Sequence, residues 1–156
     1  MRYAKIVVIL IFVAVTGCAS GAGKKSDSQA TDPKAIMGID WFLLEIQTAE
    51  GVVNIDRAKL EAEQMGDVFT IRFTDDNRIS GKAAPNRYSA PCQWGGNKSL
   101  STGLAAVTRM MALKEPEALK EQEFLDYITA IDGWSINAAG RLELHCSTGA
   151  VLVFSR

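Results

Sequence analysis

The sequence predicts a mainly β domain of the α+β class, a small antiparallel β-barrel-like fold with one packed helix. Many short segments between residues 41 and 154 have strand-like apolar patterns and are separated by turn residues. One segment, from about Pro116 to Ile131, instead carries apolar residues at helical spacing. These patterns fall within residues 36–156, and a folded part of about 120 residues suits one domain with one hydrophobic core.

The first 17 residues have the pattern of an export signal. Arg2 and Lys5 supply positive charge, and ten consecutive apolar residues follow from Ile6 to Val15. Ten residues are too few to cross a bilayer as a helix, which takes about 20, but they match the apolar core of a secretory signal. Two small residues then lead into Cys18. This order resembles the bacterial lipobox, in which the cysteine is diacylated and the chain is cut just before it.

We therefore expect the mature chain to begin with a lipidated Cys18. The alternative is an ordinary signal or a plain membrane anchor with a chance cysteine. Two or more acyl chains hold a protein stably on a membrane without a transmembrane helix. In lipoproteins of this kind an aspartate after the cysteine favours the inner membrane, whereas this chain has Ala19. The expected location is the outer membrane of the cell envelope, with the lipid-anchored domain facing the periplasm.

Residues 18–35 are expected to form a flexible tether, because small and polar residues dominate and apolar periodicity is absent. The whole chain has 17 basic and 18 acidic residues, and removal of Arg2 and Lys5 with the signal leaves 15 against 18, a net charge of −3. The two signs are interspersed along the sequence. Without a basic stripe, nucleic acid is not an expected partner.

The first half of the domain is predicted to be mostly β-structure. Residues 68–74 alternate between apolar and polar types, which indicates a half-buried strand. Residues 57–64 are charged and fit either a surface helix or a loop. The other predicted features are a buried strand within 36–47, a short apolar segment at 51–55, a turn at 75–77, and a strand at 79–83 in which Gly81 permits close approach.

The second half contains the predicted helix and the closing strands. Residues 85–96 are rich in Pro, Gly and Asn and are expected to be irregular, while 100–108 contain another strand. Pro116 suits the first turn of a helix, and Phe124, Leu125 and Ile128 form the stripe that faces the sheet. Three last strands are predicted at 134–137, 141–146 and 150–154, joined by turns at 137–140 and 147–149.

Two cysteines remain when Cys18 carries lipid. The envelope is oxidising, so Cys92 and Cys146 are predicted to form one disulfide that ties the loop at 91–96 to the penultimate strand. The alternative is two separate buried thiols that behave as small hydrophobic side chains.

A series of short motifs occurs in a fixed order between Asp40 and Arg156, and the order is more specific than any single motif. These motifs are Trp41-Phe42-Leu43, Ser80-Gly81, Asn86-Arg87-Tyr88, Thr108-Arg109-Met110, Glu123-Phe124-Leu125, Leu142-Glu143-Leu144 and the closing 151–156. In this order they resemble the META-domain family of HslJ-like heat-shock proteins. The resemblance implies a small β-rich barrel with one helix, often on a lipoprotein, with no established enzymatic activity.

The sequence departs from the family pattern at two positions. The family commonly has a cysteine at each of the places that Pro85 and Ala112 occupy here. The usual cysteine pair is therefore absent, which leaves Cys92 and Cys146 to form a different bridge.

The motif Asn86-Arg87-Tyr88 is the best candidate for a binding surface, because Arg and Tyr are enriched at binding hot spots. The structural alternative is that Asn86 satisfies loop backbone and Tyr88 packs on the barrel rim. Met110 and Met111 are expected to fill the core. His145, the only histidine, lies on a predicted strand beside Cys146, and adjacent strand residues face opposite ways. Neither a metal site nor a Ser-His-Asp triad is therefore expected.

Two functional hypotheses follow from these observations. Sequence motifs of hydrolases, phosphate loops and zinc proteases are absent, so the protein is expected to be neither an enzyme nor the holder of a cofactor. The first hypothesis is a membrane-anchored, non-enzymatic envelope lipoprotein that acts in envelope maintenance or stress response by binding an envelope protein or a small ligand. The alternative is a small-barrel carrier of an apolar small molecule, for which a pocket above about 300 Å³ would be the signature.

Overall fold

A computed structural model of the protein describes residues 32–111 and 115–156. The chain forms a short 3-10 helix, Pro33–Ala35, and then twelve helices and strands within these ranges. In order they are β1 Trp41–Thr48, β2 Gly51–Asn54, α1 Arg57–Ala62, β3 Thr70–Thr74, β4 Arg78–Lys82, β5 Arg87–Trp94, β6 Leu100–Thr102, β7 Ala106–Val107, α2 Glu121–Thr129, β8 Ile131–Ile136, β9 Leu142–Cys146 and β10 Val151–Ser155.

The strands form one sheet that curls into a nearly closed barrel. The order across the sheet is β6-β5-β4-β3-β1-β10-β9-β8, with β2 added to β1 and β7 added to β5. Each pair of these strands is antiparallel. The two ends of this order meet, because Ser99 bridges to Gly133 and the Trp134 N–H donates to the Lys98 carbonyl at 3.0 Å. The predicted fold class is confirmed.

Large side chains fill the interior of the barrel. Alternate residues of each strand point inward, as in β9, where Leu142, Leu144 and Cys146 are buried as predicted. The largest fully buried side chains include Trp41, Phe69, Phe73, Phe124, Trp134 and Phe154. The predicted helix face is also confirmed, since Phe124, Leu125 and Ile128 are the buried residues of α2.

Helix α2 is shorter than the sequence predicts. It begins at Glu121 and not near Pro116, because Lys120 has extended backbone angles and stands at the N-cap. Leu119 is buried ahead of the helix, and Ile131 already belongs to β8. Their apolar side chains extend the helical pattern in the sequence although both residues lie outside the helix.

Residues 57–64 contain helix α1, which decides between the surface helix and the loop that the sequence allows. Its N-cap residue is Asp56, whose carboxylate accepts a hydrogen bond from the Lys59 N–H at 2.9 Å. The guanidinium of Arg57 donates to the carbonyl oxygens of Val68 and Gly66 and lies 5.3 Å from the centre of the Phe42 ring. These contacts fix α1 against the outside of the barrel.

Residues 87–94 form a regular strand, so the prediction of an irregular 85–96 stretch is wrong for most of its length. Tyr88, Ala90 and Cys92 are buried and alternate with more exposed residues. Pro91 is one of the exposed residues of β5, and the neighbouring Cys92 N–H still bonds to the Asn77 carbonyl at 2.8 Å. A proline at such a position leaves the inward alternation of the strand intact.

Met110 and Met111 do not fill the core, which corrects that prediction. Met110 is 64% exposed and Met111 is 93% exposed. Of the described helices, none is long and apolar enough to cross a membrane. The predicted signal peptide, Cys18 and Ala112 lie outside the described residues.

Candidate functional site

The predicted surface motif Asn86-Arg87-Tyr88 marks the turn into β5, but its three side chains have different roles. Asn86 is buried, with 7% of its surface exposed. Its amide oxygen accepts hydrogen bonds from the Met110 N–H at 2.6 Å and the Thr108 hydroxyl at 2.9 Å. Its amide nitrogen donates to the Met110 carbonyl at 3.3 Å and to the Glu121 carboxylate at 3.1 Å. Asn86 therefore joins the 108–110 segment to the start of α2.

Tyr88 is buried as well and points into the barrel. Its hydroxyl donates to the Thr70 carbonyl at 2.8 Å, and its ring packs edge-on against Phe124 at 5.9 Å between centroids. Burial raises the pKa of the Tyr88 phenol well above its ordinary value. Asn86 and Tyr88 are therefore mainly structural: Asn86 satisfies loop backbone, as the alternative predicts, and Tyr88 packs inside the barrel and not on its rim.

Arg87 is the member of the motif that is exposed. It lies on β5 directly opposite Lys82 of β4, so both side chains project from the same, outer face of the sheet. Its guanidinium has no hydrogen-bond or ion-pair partner among residues 32–111 and 115–156. The backbone of Arg87 is fixed, because its N–H donates to the Thr108 hydroxyl and its carbonyl accepts from the Thr108 N–H.

A cleft of about 340 Å³ lies beside Arg87 on the outer face of β1, β3, β4 and β5. We call it the Arg87 cleft and define it by Asp40, Phe42, Arg72, Ser80, Lys82 and Arg87. Alternation along β3 and β4 places the polar residues of this set outside the barrel, opposite the buried Ile71, Phe73 and Ile79. The cleft is therefore a solvent-facing site on the outer face of the sheet.

Ion pairs neutralise two of the three cations in the Arg87 cleft. Lys82 lies 2.8 Å from both carboxylate oxygens of Asp67, which also lines the cleft. Arg72 lies 3.1 Å from Asp40. The two pairs leave Arg87 as the cation without a countercharge. The arrangement can accept an anionic group at the guanidinium of Arg87.

The predicted disulfide is wrong, because Cys92 and Cys146 are both free thiols. Cys92 lies on β5 and Cys146 on β9, and β6 and β8 stand between them on the short path around the barrel. Three strand spacings of about 4.8 Å exceed the separation of about 7 Å between Cα atoms that a disulfide tolerates. Burial raises the pKa of both thiols, that of Cys146 to about 12. Cys92 and Cys146 are thus two separate buried thiols that act as small hydrophobic residues of the core, which was the alternative to a disulfide.

A polar cluster on β8 and β9 surrounds His145. The Ser135 hydroxyl donates to the Glu143 carboxylate at 2.8 Å and lies 3.0 Å from Nε2 of His145. A nucleophilic serine must instead donate its proton to the histidine. Among the described residues, no group of three His, Cys, Asp or Glu side chains could hold a metal ion. Strand alternation in the sequence already places Glu143 and His145 on one face, but Ser135 joins them only through the register of β8 with β9.

The fold and the site define a class: a small antiparallel β-barrel with one main helix, α2, a filled interior and a charged cleft on its outer face. A family model for the META domain matches residues 39–156. The chain belongs to the META domain family, and the predicted resemblance is confirmed.

Two solved structures have a similar fold. The NMR structure of a protein from Burkholderia xenovorans superposes with a TM-score of 0.61 and 24% identity, covering 85% of this chain and 97% of that one. The crystal structure of a DUF4847 family protein from Bacteroides vulgatus ATCC 8482 superposes with a TM-score of 0.52 and 12% identity, covering 78% and 94%. At these identities the likeness concerns the fold alone. No curated protein matches the chain.

Proposed function

We propose that this META-domain protein is a lipoprotein of the cell envelope that is anchored through Cys18 and acts by binding a partner, without catalysing a reaction. The environment of Arg87 is the main support for the binding role. It is exposed, it lacks a countercharge among the described residues, and it lines a cleft on the outer face of the sheet. The anchor is supported by the charged start, the ten-residue apolar stretch and the small residues before Cys18.

A non-enzymatic role is supported by the chemistry of the polar cluster around His145. The Ser135 proton is committed to Glu143, so this hydroxyl is not prepared as a nucleophile. The cleft at Arg87 contains cations and carboxylates that are already paired at about hydrogen-bond distance.

The anchor is tested by metabolic labelling of the full chain with a palmitate analogue. The wild type is expected to take up the label and to fractionate with membranes, whereas Cys18→Ser takes up none and leaves the membrane fraction. Cys92→Ser is the matched control, since it removes a buried thiol and leaves Cys18 in place. Equal labelling of all three chains would contradict the anchor.

The binding role is tested by native mass spectrometry of the protein extracted from its own membrane. We expect a co-purifying species with the wild type that disappears in Arg87→Gln. Arg141→Gln is the control, because Arg141 is also exposed but lies at the turn before β9. A species that persists equally in both variants argues against binding at Arg87.

One observation favours the carrier hypothesis as a second candidate. An open groove of about 640 Å³ beside the 3-10 helix is lined by the apolar residues Pro33, Met37 and Trp94, together with three charged residues. The indole N–H of Trp94 is buried and finds no acceptor among the described residues. A small apolar ligand in this groove would be displaced by Met37→Asp and kept by Val52→Asp, a change at an exposed position of β2. Fluorescence of bound 1-N-phenylnaphthylamine measures how much of this apolar probe the Met37→Asp and Val52→Asp variants each bind.

A further inference from the structure

The pairing of β4 with β5 places two cations directly opposite each other. Lys82 and Arg87 are register partners in this antiparallel pair. Like charges at directly opposite positions destabilise a strand pair. Lys82 is compensated by both carboxylate oxygens of Asp67 at 2.8 Å, but Arg87 is not compensated within the described chain. An anion bound at Arg87 would remove this repulsion.

The charges around the Arg87 cleft define what kind of anion fits. Three cations line it, Arg72, Lys82 and Arg87, and two carboxylates, those of Asp40 and Asp67, oppose them. Among the lining residues themselves, one positive charge is therefore left without a countercharge. A ligand group with two negative charges also loses more hydration free energy on entering the cleft, because that loss grows with the square of the charge whereas its attraction to one excess positive charge grows only in proportion.

We propose that the Arg87 cleft binds the carboxylate group of a small ligand or of a peptide chain end, with the Arg87 guanidinium as its anchor. This proposal rests on the proposed function, because it names the ligand chemistry of the same cleft. A guanidinium presents a planar fork of donors that matches a carboxylate with two parallel hydrogen bonds. One carboxylate also supplies the single negative charge that the cleft lacks.

The rest of the cleft indicates the size and character of the group that carries the carboxylate. A volume of about 340 Å³ lies at the lower end for small-molecule sites. The half-buried ring of Phe42 offers an apolar surface, and the Ser80 side chain adds a hydroxyl. The cleft thus suits an acid with a short, partly apolar body, of the size of one or two amino-acid residues.

The proposal is tested by NMR titration of the ¹⁵N-labelled full chain as it is isolated from cells. The probes are N-acetyl-dialanine with a free carboxylate, its C-terminal amide, N-acetylglycine and methyl phosphate. We expect the two acids to shift amide signals of β4 and β5 around Gly81 and Tyr88. The amide should bind at least about tenfold more weakly, because it lacks the charged acceptor.

Two variants of Arg87 test whether its guanidinium is responsible for the binding. Arg87→Gln should weaken N-acetyl-dialanine at least about tenfold, and Arg87→Lys should restore only part of the affinity, since lysine keeps the charge without the fork. Arg141→Gln, an exposed arginine outside the cleft, should bind as the wild type does. Unchanged melting temperatures in all three variants show that folding is not the cause.

The outcomes separate the possible ligand sources. Tighter binding of N-acetyl-dialanine than of N-acetylglycine supports a peptide chain end, and equal binding supports a free small acid. Methyl phosphate binding more tightly than either acid, or an acid and its amide binding alike, overturns the carboxylate proposal. The titration measures binding at the cleft and does not depend on the lipid anchor. A failure of the labelling experiment would contradict the anchor at Cys18, whereas a failure of the titration would contradict carboxylate binding at Arg87, so the two failures are distinguishable.

Discussion

The hydroxyl of Tyr88 on β5 donates a hydrogen bond of 2.8 Å to the carbonyl oxygen of Thr70 on β3, across the intervening strand β4. Gly81 of β4 is the register partner of Tyr88 and lies beneath this connection. A Cβ atom at residue 81 would lie 2.0 Å from the Thr70 oxygen and 2.8 Å from Cε1 of Tyr88. The missing side chain of Gly81 therefore lets one tyrosine join three strands beneath the Arg87 cleft.

We expect Tyr88→Phe to lower the free energy of unfolding by about 1–3 kcal/mol, since it leaves the Thr70 carbonyl without this partner. Chemical denaturation measures the change. Tyr127→Phe is the matched control, because Tyr127 is only half-buried and its hydroxyl has no hydrogen bond within the described chain. Equal losses in the two variants would show that the bond to Thr70 contributes little.

Gly81→Ala should be costly for a steric reason. The added methyl group has no room between the Thr70 carbonyl and the Tyr88 ring, and overpacking of this kind costs about 1–3 kcal/mol or more. Gly96→Ala serves as the control, since nothing lies within 4 Å of a Cβ at that position. Thermal denaturation compares the two, and a Gly81→Ala protein as stable as Gly96→Ala would contradict the close approach.

Asn86→Ala should destabilise the protein by about 2–4 kcal/mol, because a buried amide with several hydrogen bonds is removed and its backbone partners at Met110 lose theirs. Hydrogen exchange should also become faster at the amide of Met110, which Asn86 now protects. Asn54→Ala, at the exposed end of β2, should change stability by less than about 0.5 kcal/mol. An Asn86→Ala protein with unchanged exchange would refute the connecting role.

Phe124→Ala should cost about 3–5 kcal/mol, the usual range for truncation of a large core side chain. Phe124 is fully buried and contacts the rings of Phe69 at 5.3 Å and Tyr88 at 5.9 Å between centroids. Glu123→Ala, the exposed neighbour on the same helix, is the control. Urea denaturation of both variants gives the difference, and a loss below about 0.5 kcal/mol for Phe124→Ala would mean that the α2 stripe is not docked as described.

Local patterns were enough to predict much of this fold. The alternation in β3 and β9 and the stripe of α2 each identify the buried face, because burial and chain periodicity are tied together. Strand β5 was missed because Pro91 is typical of irregular chain. Pro91 lies on the exposed side of β5 because of the register of β5 with β4, which local sequence does not specify.

The candidate site was only partly predictable for the same reason. Arg87 was identified by residue type, but Asn86 and Tyr88 are buried by contacts with residues 18 to 35 positions away. The ion pair of Lys82 with Asp67 joins residues 15 positions apart, and that of Arg72 with Asp40 joins residues 32 positions apart. One local signal was present: Lys82 and Arg87 flank the short connection 83–86, and a tight hairpin there would place them opposite each other.

The two free thiols lead to a prediction about alkaline pH. Burial, with a smaller contribution from the Asp132 carboxylate, raises the pKa of Cys146 in the folded protein from 9.0 to about 12. The unfolded chain therefore releases this proton at lower pH than the folded chain does. The stabilising contribution is complete below pH 9 and is lost as the pH rises from about 9 towards 12.

Under reducing conditions, we expect the free energy of unfolding of the wild type to fall between pH 8.5 and pH 10.5, and that of Cys146→Ala to fall less steeply. The comparison of slopes cancels the lysines and tyrosines that both proteins share, and it does not depend on the constant cost of removing a buried thiol. Urea denaturation at closely spaced pH values provides the measurement. Parallel slopes would show that the Cys146 thiol ionises as readily in the folded protein as in the unfolded chain, which its contact with the Tyr127 carbonyl at 3.5 Å and its burial both oppose.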